Sequence, residues 1–163
     1  MLEIRTLRPD HRELLVDAFE RLSPFTRYQR FLTPKPALST SELDYLVKLD
    51  HRTRDAVIAI DEDSGHIVGV ARYAIHPSAP TTADIAVTVA DDWQSRGVGT
   101  MLSRVLVRRA RDHGIAALTA TTLHDNFRSR KLLRRLGFKA QGRDGAFVEL
   151  ALELVPSADR LAA

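Results

Sequence analysis

The stretch Gln94-Ser95-Arg96-Gly97-Val98-Gly99-Thr100 lies between an apolar run, Asp84 to Val89, and a segment from Val98 to His113 whose apolar residues recur at helical spacing. At the start of a helix the first backbone N–H groups lack intrahelical acceptors, and the helix dipole adds positive potential there. Glycine lets the main chain approach a ligand oxygen closely, so the loop suits an anion the size of a pyrophosphate. A nucleotide P-loop requires Lys and Ser/Thr after its last glycine, and the dinucleotide fingerprint requires a third glycine and a later acidic residue. Neither is present. Taken alone, two glycines before a helix also fit a plain tight connection.

Working outward, Val98, Met101, Leu102, Val105 and Leu106 share one face of the predicted helix, Arg104, Arg108 and Arg111 point elsewhere, and Gly114 ends it. Downstream, Ala116 to Leu123 reads as a strand, about Asn126 to Leu136 as a helix stopped by Gly137, and Phe138–Gln141 and Ala146–Leu154 as two last strands. Upstream, the runs 56–60 and 66–75 flank the turn Asp61 to Gly65 as a hairpin, and Asp84 to Val89 follows after Pro77 and Pro80. The first third holds a short strand through Leu2 and Ile4, then a helix opened by Pro9 and Asp10. A helical piece around Thr26 to Phe31 follows, and then a helix capped by Ser39 and running to about Leu49. The pattern predicts an α/β domain with a mixed, mostly antiparallel central sheet of six to seven strands flanked by helices.

A chain of 163 residues matches one domain, expected over 1–155 with a flexible tail over 156–163. With no cysteine there is no disulfide, thiolate nucleophile or Cys-ligated zinc, and a reducing cytoplasm is the expected location. The six histidines show no paired ligand spacing, so no catalytic metal is expected. No signal peptide or membrane span is read. The net charge of +3 is small and spread, and no aromatic platform interleaves the arginines; neither nucleic acid nor membrane is an expected partner. A monomer or a homodimer both fit.

The spacing of Gln94, Gly97 and Gly99 resembles the Q/RxxGxG/A signature of the GNAT acetyltransferases, and Asn126, Phe127, Arg128, Ser129 through Leu136, Gly137, Phe138 resembles their NxxAxxLYxxxGF element. Leu22, Ser23, Pro24, Tyr28, Arg30, Phe31, Tyr45, Leu46, Asp50 and His51 further resemble the GNAT domain of bacterial protein lysine acetyltransferases. The resemblance implies a GNAT fold whose strands splay at the cofactor site, with acetyl-CoA as acyl donor. It implies a pyrophosphate on Gln94, Ser95, Arg96, Gly97, Val98, Gly99 and Thr100. The pantetheine arm then lies along the backbone of Val87 and Val89, and Asn126 and Arg130 give further contacts. Asn126 also fits a helix N-cap, and the basic helix carrying Arg128, Arg130, Lys131, Arg134 and Arg135 also fits a solvated face. Tyr28, Arg30 and Phe31 fit either a packed helix or a substrate wall.

An amine must be neutral to attack a thioester, and an unperturbed lysine has a pKa of about 10.4, so deprotonation at pH 7 costs roughly 4 to 5 kcal/mol. Asp84, expected at the start of its strand, is the candidate general base. The resemblance implies a glutamate at this place, one C–C bond longer, and a bridging water restores the reach. Asp84 equally fits a strand-end cap. Where many relatives place a tyrosine acid the chain has Leu133, which leaves Ser129 a weak candidate beside water. The expected reaction is acetyl transfer to a primary amine, foremost a protein lysine. The alternatives are a small amine such as an amino acid, polyamine or antibiotic, and a non-catalytic acyl-CoA-sensing module.

Overall fold

Apolar residues at Leu2 and Ile4 alternating with charged ones make Leu2–Thr6 (β1) an edge strand, antiparallel to Arg54–Asp61 (β2). β2 is buried along nearly its whole length, as a strand covered on both faces must be. Ile67–His76 (β3) and Ala79–Val89 (β4) continue the antiparallel meander, Ala117–Leu123 (β5) joins β4 in parallel, and Lys139–Asp144 (β6) and Phe147–Glu153 (β7) complete the order β1-β2-β3-β4-β5-β7-β6. This is a mixed, mostly antiparallel, open seven-stranded sheet, at the upper end of the six to seven strands the sequence led us to expect. The computed structural model describes residues 1–154; the tail expected over 156–163 lies outside them.

Helices cover both faces. On one side Arg12–Glu20 (α1), preceded by a 3-10 turn at Pro9–His11, and Thr40–Val47 (α3) pack Leu15 and Val47 over Ala56, Ile58 and Ile60. Ser39 and Glu42 form a reciprocal capping box at the start of α3. Pro24–Phe31 (α2) begins earlier than expected, because Ser23 caps it through Thr26 N and Pro24 occupies the first turn, where its missing N–H costs nothing. On the other side Val98–Asp112 (α4) and Phe127–Arg135 (α5) build the larger core. α4 lies close on β3 because Gly69 has no side chain: a Cβ there would meet Leu102 Cδ1 at 2.8 Å and Val98 Cγ1 at 3.0 Å. The buried face of α4 is Val98, Leu102, Ser103, Leu106, Val107 and Ala110, and Met101, expected on that face, is 37% exposed.

Two sequence expectations change at β4. The strand starts at Ala79, so Asp84 lies in its middle and not at its start, and a strand-end cap is ruled out. Pro80 is accommodated where the β3–β4 ladder already shifts register, between Ile75 and His76. In addition, β4 and β5 pair only over Thr82–Asp84 and Ala117–Thr119, then part. The rest of β4 runs on to Val89 beside a gap, and the N-terminus of α4 sits at its far end.

Candidate active site

Gly97, at φ +83°, is the N-cap of α4 and supplies no side-chain cap; the first intrahelical bond runs from Met101 N to Gly97 O at 3.0 Å. The N–H groups of Val98, Gly99 and Thr100 therefore have no acceptor within the helix. Ser95 also takes a positive φ, +62°, in the turn before them. A Cβ on Gly99 would lie 3.2 Å from Leu132, 3.5 Å from Val89 and 3.7 Å from Val87, so its absence keeps open the narrow part of the gap.

The main chain of β4 is laid out by simple alternation. Ala90 N donates to Val68 O on the β3 side, whereas Thr81 O accepts from Ala116 N on the β5 side. Even-numbered residues thus spend their amides on β3, and Val87 and Val89 turn theirs into the gap. Gln94 Nε2 donates to Val89 O at 3.1 Å, while Gln94 Oε1 accepts from Arg128 Nη1 at 2.5 Å. Gln94 therefore braces the end of β4 against α5. The cleft so formed has a volume of about 440 Å³ and is lined by Val87, Val89, Gln94, Ser95, Gly97, Val98, Gly99, Thr100, Asn126 and Ser129 among others.

Two of the cofactor residues expected from sequence are placed elsewhere. The Arg96 guanidinium lies over the Trp93 ring at 5.1 Å and is not on the cleft wall. Arg130 donates to His124 O at 2.8 Å, tying down the β5–α5 connection, while Arg128, Lys131 and Arg135 of the same helix do line the cleft. The helical repeat explains this: the residues facing the gap recur at three and four positions, and Arg130 falls between them. Asn126 is the N-cap of α5, its Oδ1 accepting from Ser129 N at 3.2 Å, and the residue lines the cleft. Leu133 is 4% exposed at the cleft floor and offers no proton.

A second cavity, about 510 Å³, opens on the α1–α3 side and meets the first at Ile85, Ala86 and Arg30. Asp84 is on its wall, with Oδ1 accepting from Thr119 Oγ1 and Oδ2 at 4.0 Å from His76 Nε2; the side chain remains 59% exposed. Phe31 packs edge-on against Phe19, with centroids 5.9 Å apart, and lines the second cavity together with Arg30, whereas Tyr28 borders neither cavity. Arg72, from β3, shares this wall with Tyr45, whose ring Arg54 covers at 4.3 Å. Burial pushes Arg30 and Arg72 down to about 10, with Arg30 adding repulsion on Arg72, and both remain charged at neutral pH. Nothing in the sequence singled out Arg72, since a lone arginine in an alternating strand reads as solvent-facing. Asp50 accepts from the N–H groups of Arg52, Thr53 and Arg54 and from the Thr53 hydroxyl, which holds its carboxyl well below the usual range; it shapes the loop into β2 and is not part of the cavity. Among the described residues no three His, Asp or Glu side chains gather closely enough to hold a metal, and no helix is long and apolar enough to cross a membrane.

Comparison with known proteins gives a consistent picture. The model of the acetyltransferase (GNAT) family matches residues 12–138. An acetyltransferase of Pseudomonas aeruginosa is 35% identical over 140 residues, covering 85% of this chain and 75% of that protein. The crystal structure of the GNAT domain of S. lividans PAT superposes with a TM-score of 0.88 at 26% identity, over 94% of this chain and 90% of that one. The structure of yncA from Salmonella typhimurium with its cofactor acetyl-CoA has the same fold, with a TM-score of 0.77 at 16% identity over 96% of both chains.

Proposed function

The chain belongs to the GNAT family of acetyltransferases, which use acetyl-CoA, and from that premise we propose that it acetylates a primary amine, foremost a lysine side chain of a protein, with Asp84 taking up the amine's proton. The observation that carries this reading is the meeting of two cavities at Ile85 and Ala86, with Asp84 one residue from the junction. The first has the chemistry to hold the donor. Its helix-terminal N–H groups and the basic side chains Arg128, Lys131 and Arg135 suit phosphates, and the space left by Gly99 suits a slender arm beside Val87 and Val89.

Acetyl-CoA supplies the acetyl group as a thioester, so a C–N bond replaces a C–S bond, the amine gives up a proton and the sulfur leaves as a thiol. Asp84 accepts the amine's proton from the acceptor side, through a water where its short side chain falls short. The Thr119 hydroxyl fixes the rotamer of Asp84 by donating to Oδ1, which leaves Oδ2 for the proton. The unpaired N–H of Val87 faces the gap and polarises the carbonyl under attack, in the manner of an oxyanion hole. With Leu133 in the floor, the proton for the departing sulfur comes from water or from Ser129. The absence of cysteine and the use of acetyl-CoA both suit a cytoplasmic enzyme.

The test is mass spectrometry of the purified protein with acetyl-CoA against a panel of lysine peptides, free amino acids and polyamines, joined to an acetylome comparison with and without the protein. We expect acetylated lysine peptides as products. Tight donor binding with no acetylated amine from any source would instead mark an acyl-CoA sensor.

A further inference from the structure

Two arginines stand in the acceptor cavity with no salt bridge to a carboxylate among the described residues. Arg72 is 6% exposed; its Nη1 reaches Leu46 O only at 3.4 Å and its Nη2 is buried with no hydrogen-bond partner. The Arg30 guanidinium extends over the neighbouring Phe31 ring at 4.7 Å and, among the described residues, donates no hydrogen bond. The carboxylates on the same wall are engaged elsewhere: Glu42 with Lys35, and Asp84 with Thr119. The charged groups acting on Arg72 are Arg30 and Arg54, which repel it, and the polar ring of Tyr45. Sequestering a cation is costly unless something pairs with it, and here two cations face one cavity. A guanidinium fork matches a carboxylate in shape and charge, and the Tyr45 ring, 5.6 Å from the Arg72 guanidinium and 4.3 Å from that of Arg54, packs beside the fork.

We propose that Arg72 and Arg30 form a carboxylate subsite for the acetyl acceptor, so that the substrate carries an acid group close to the amine it presents to Asp84. The inference rests on the acetyl-transfer reading above and narrows its substrate class. Arg72 pairs with Ala86 across the β3–β4 ladder, and Ala86 follows Asp84 by two residues, a strand distance of about 7 Å. Acid and amine therefore belong to one small unit: either a free amino acid, or a lysine with an acidic residue beside it. Polyamines, which bring only positive charge, are excluded by the same pair.

The experiment uses matched pairs that differ only in the acid. L-Methionine and L-leucine are compared with their carboxamides, and lysine peptides bearing Glu next to the lysine with the same peptides bearing Gln. In the native protein kcat/KM for the acid member exceeds that for the neutral member by tenfold or more in at least one series, and the series that does so tells whether the acceptor is free or protein-borne. The amine of an amino-acid amide loses its proton more readily than that of the free acid, so intrinsic reactivity biases that series against this outcome. In Arg30→Gln the acid-to-neutral ratio falls below about threefold, and in Arg30→Lys it partly returns; Arg72→Gln behaves alike if it folds, and Arg30, only partly buried, keeps the test open if it does not. Equal use of both members in both series overturns the subsite while leaving acetyl transfer standing. No acetyl transfer to any amine overturns the enzymatic reading and the subsite with it. A preference for succinyl-CoA over acetyl-CoA that disappears in Arg30→Gln assigns the pair to the donor and overturns the proposal.

Discussion

Asp84 lies at the last paired position before β4 and β5 separate, so its carboxylate is held by the sheet yet faces open space. Asp84→Asn keeps the size of the side chain and an acceptor for Thr119 but cannot take a proton. We expect kcat to fall by about a hundredfold or more with the acetyl-CoA dissociation constant changed less than twofold, read by steady-state kinetics and calorimetry. Gly97→Val should do the opposite. Nothing lies within 4 Å of a Cβ at Gly97, but φ +83° disfavours a branched residue by roughly 1–2 kcal/mol, and relaxation turns the three free N–H groups away. Donor affinity, measured by calorimetry, should drop well before kcat does. Gln94, Gly97 and Gly99 were legible in the sequence because their spacing, ambiguous alone, stood in register with a second motif from Asn126 to Phe138. Arg72 was not, since period-two alternation tells which residues share a face but not that a second layer of helices lies over that face, turning an outward arginine into a buried one. Arg130 and its neighbours Arg128 and Lys131 look alike in sequence, and only the helix phase separates the residue that ties down a loop from those that line the cleft.

At the scale of elements, the placement of α2 depends on one carboxylate. Asp91, in the 3-10 turn Asp91–Trp93 that follows β4, accepts from Ser23 N at 3.0 Å, Ser23 Oγ at 2.8 Å and Thr26 Oγ1 at 2.6 Å, so the start of α2 is tied to the loop ahead of α4. Arg30 and the donor cleft are thereby held in one frame. Burial pushes the Asp91 carboxyl up, but the hydrogen bonds from Thr26 and Ser23 outweigh it, and the group lies below the ordinary carboxylate range. Its folded pKa is thus lower than its unfolded one, so its stabilisation is complete above about pH 4 and is lost as pH falls through the lower, folded value. Asp91→Ala should cost about 1 kcal/mol at pH 7 and flatten the acid limb of stability, which thermal melts from pH 7 to pH 3 will show; a variant with an unchanged acid limb contradicts the tie. The sequence revealed most elements but misjudged two beginnings: Ser23-Pro24 read as an interruption and proved to be the cap and first turn of α2, and Pro80 hid the first half of β4. In both places proline is a breaker whose effect depends on whether its missing N–H had a partner to lose.

At the scale of the whole molecule, the sheet separates donor and acceptor: one cavity lies in the gap beside α4 and α5, the other under α2 and α3, and they touch at the middle of β4 and at Arg30 of α2. Donor binding stabilises the folded chain by mass action, about 2.7 kcal/mol at a hundredfold excess over the dissociation constant, which for a chain of this size is roughly 5 to 10 °C in Tm. Scanning calorimetry with coenzyme A should show that rise, and no shift would argue against the donor cleft. The parting of β4 from β5 also has a kinetic signature. Along one half of a strand every second amide is left without a partner, so in deuterated water Val87 and Val89 should take up label quickly while Ala86, Thr88 and Ala90 take it up slowly, a beat of two residues within a single rigid strand. Coenzyme A, lying in that groove as a guest strand, should silence the beat.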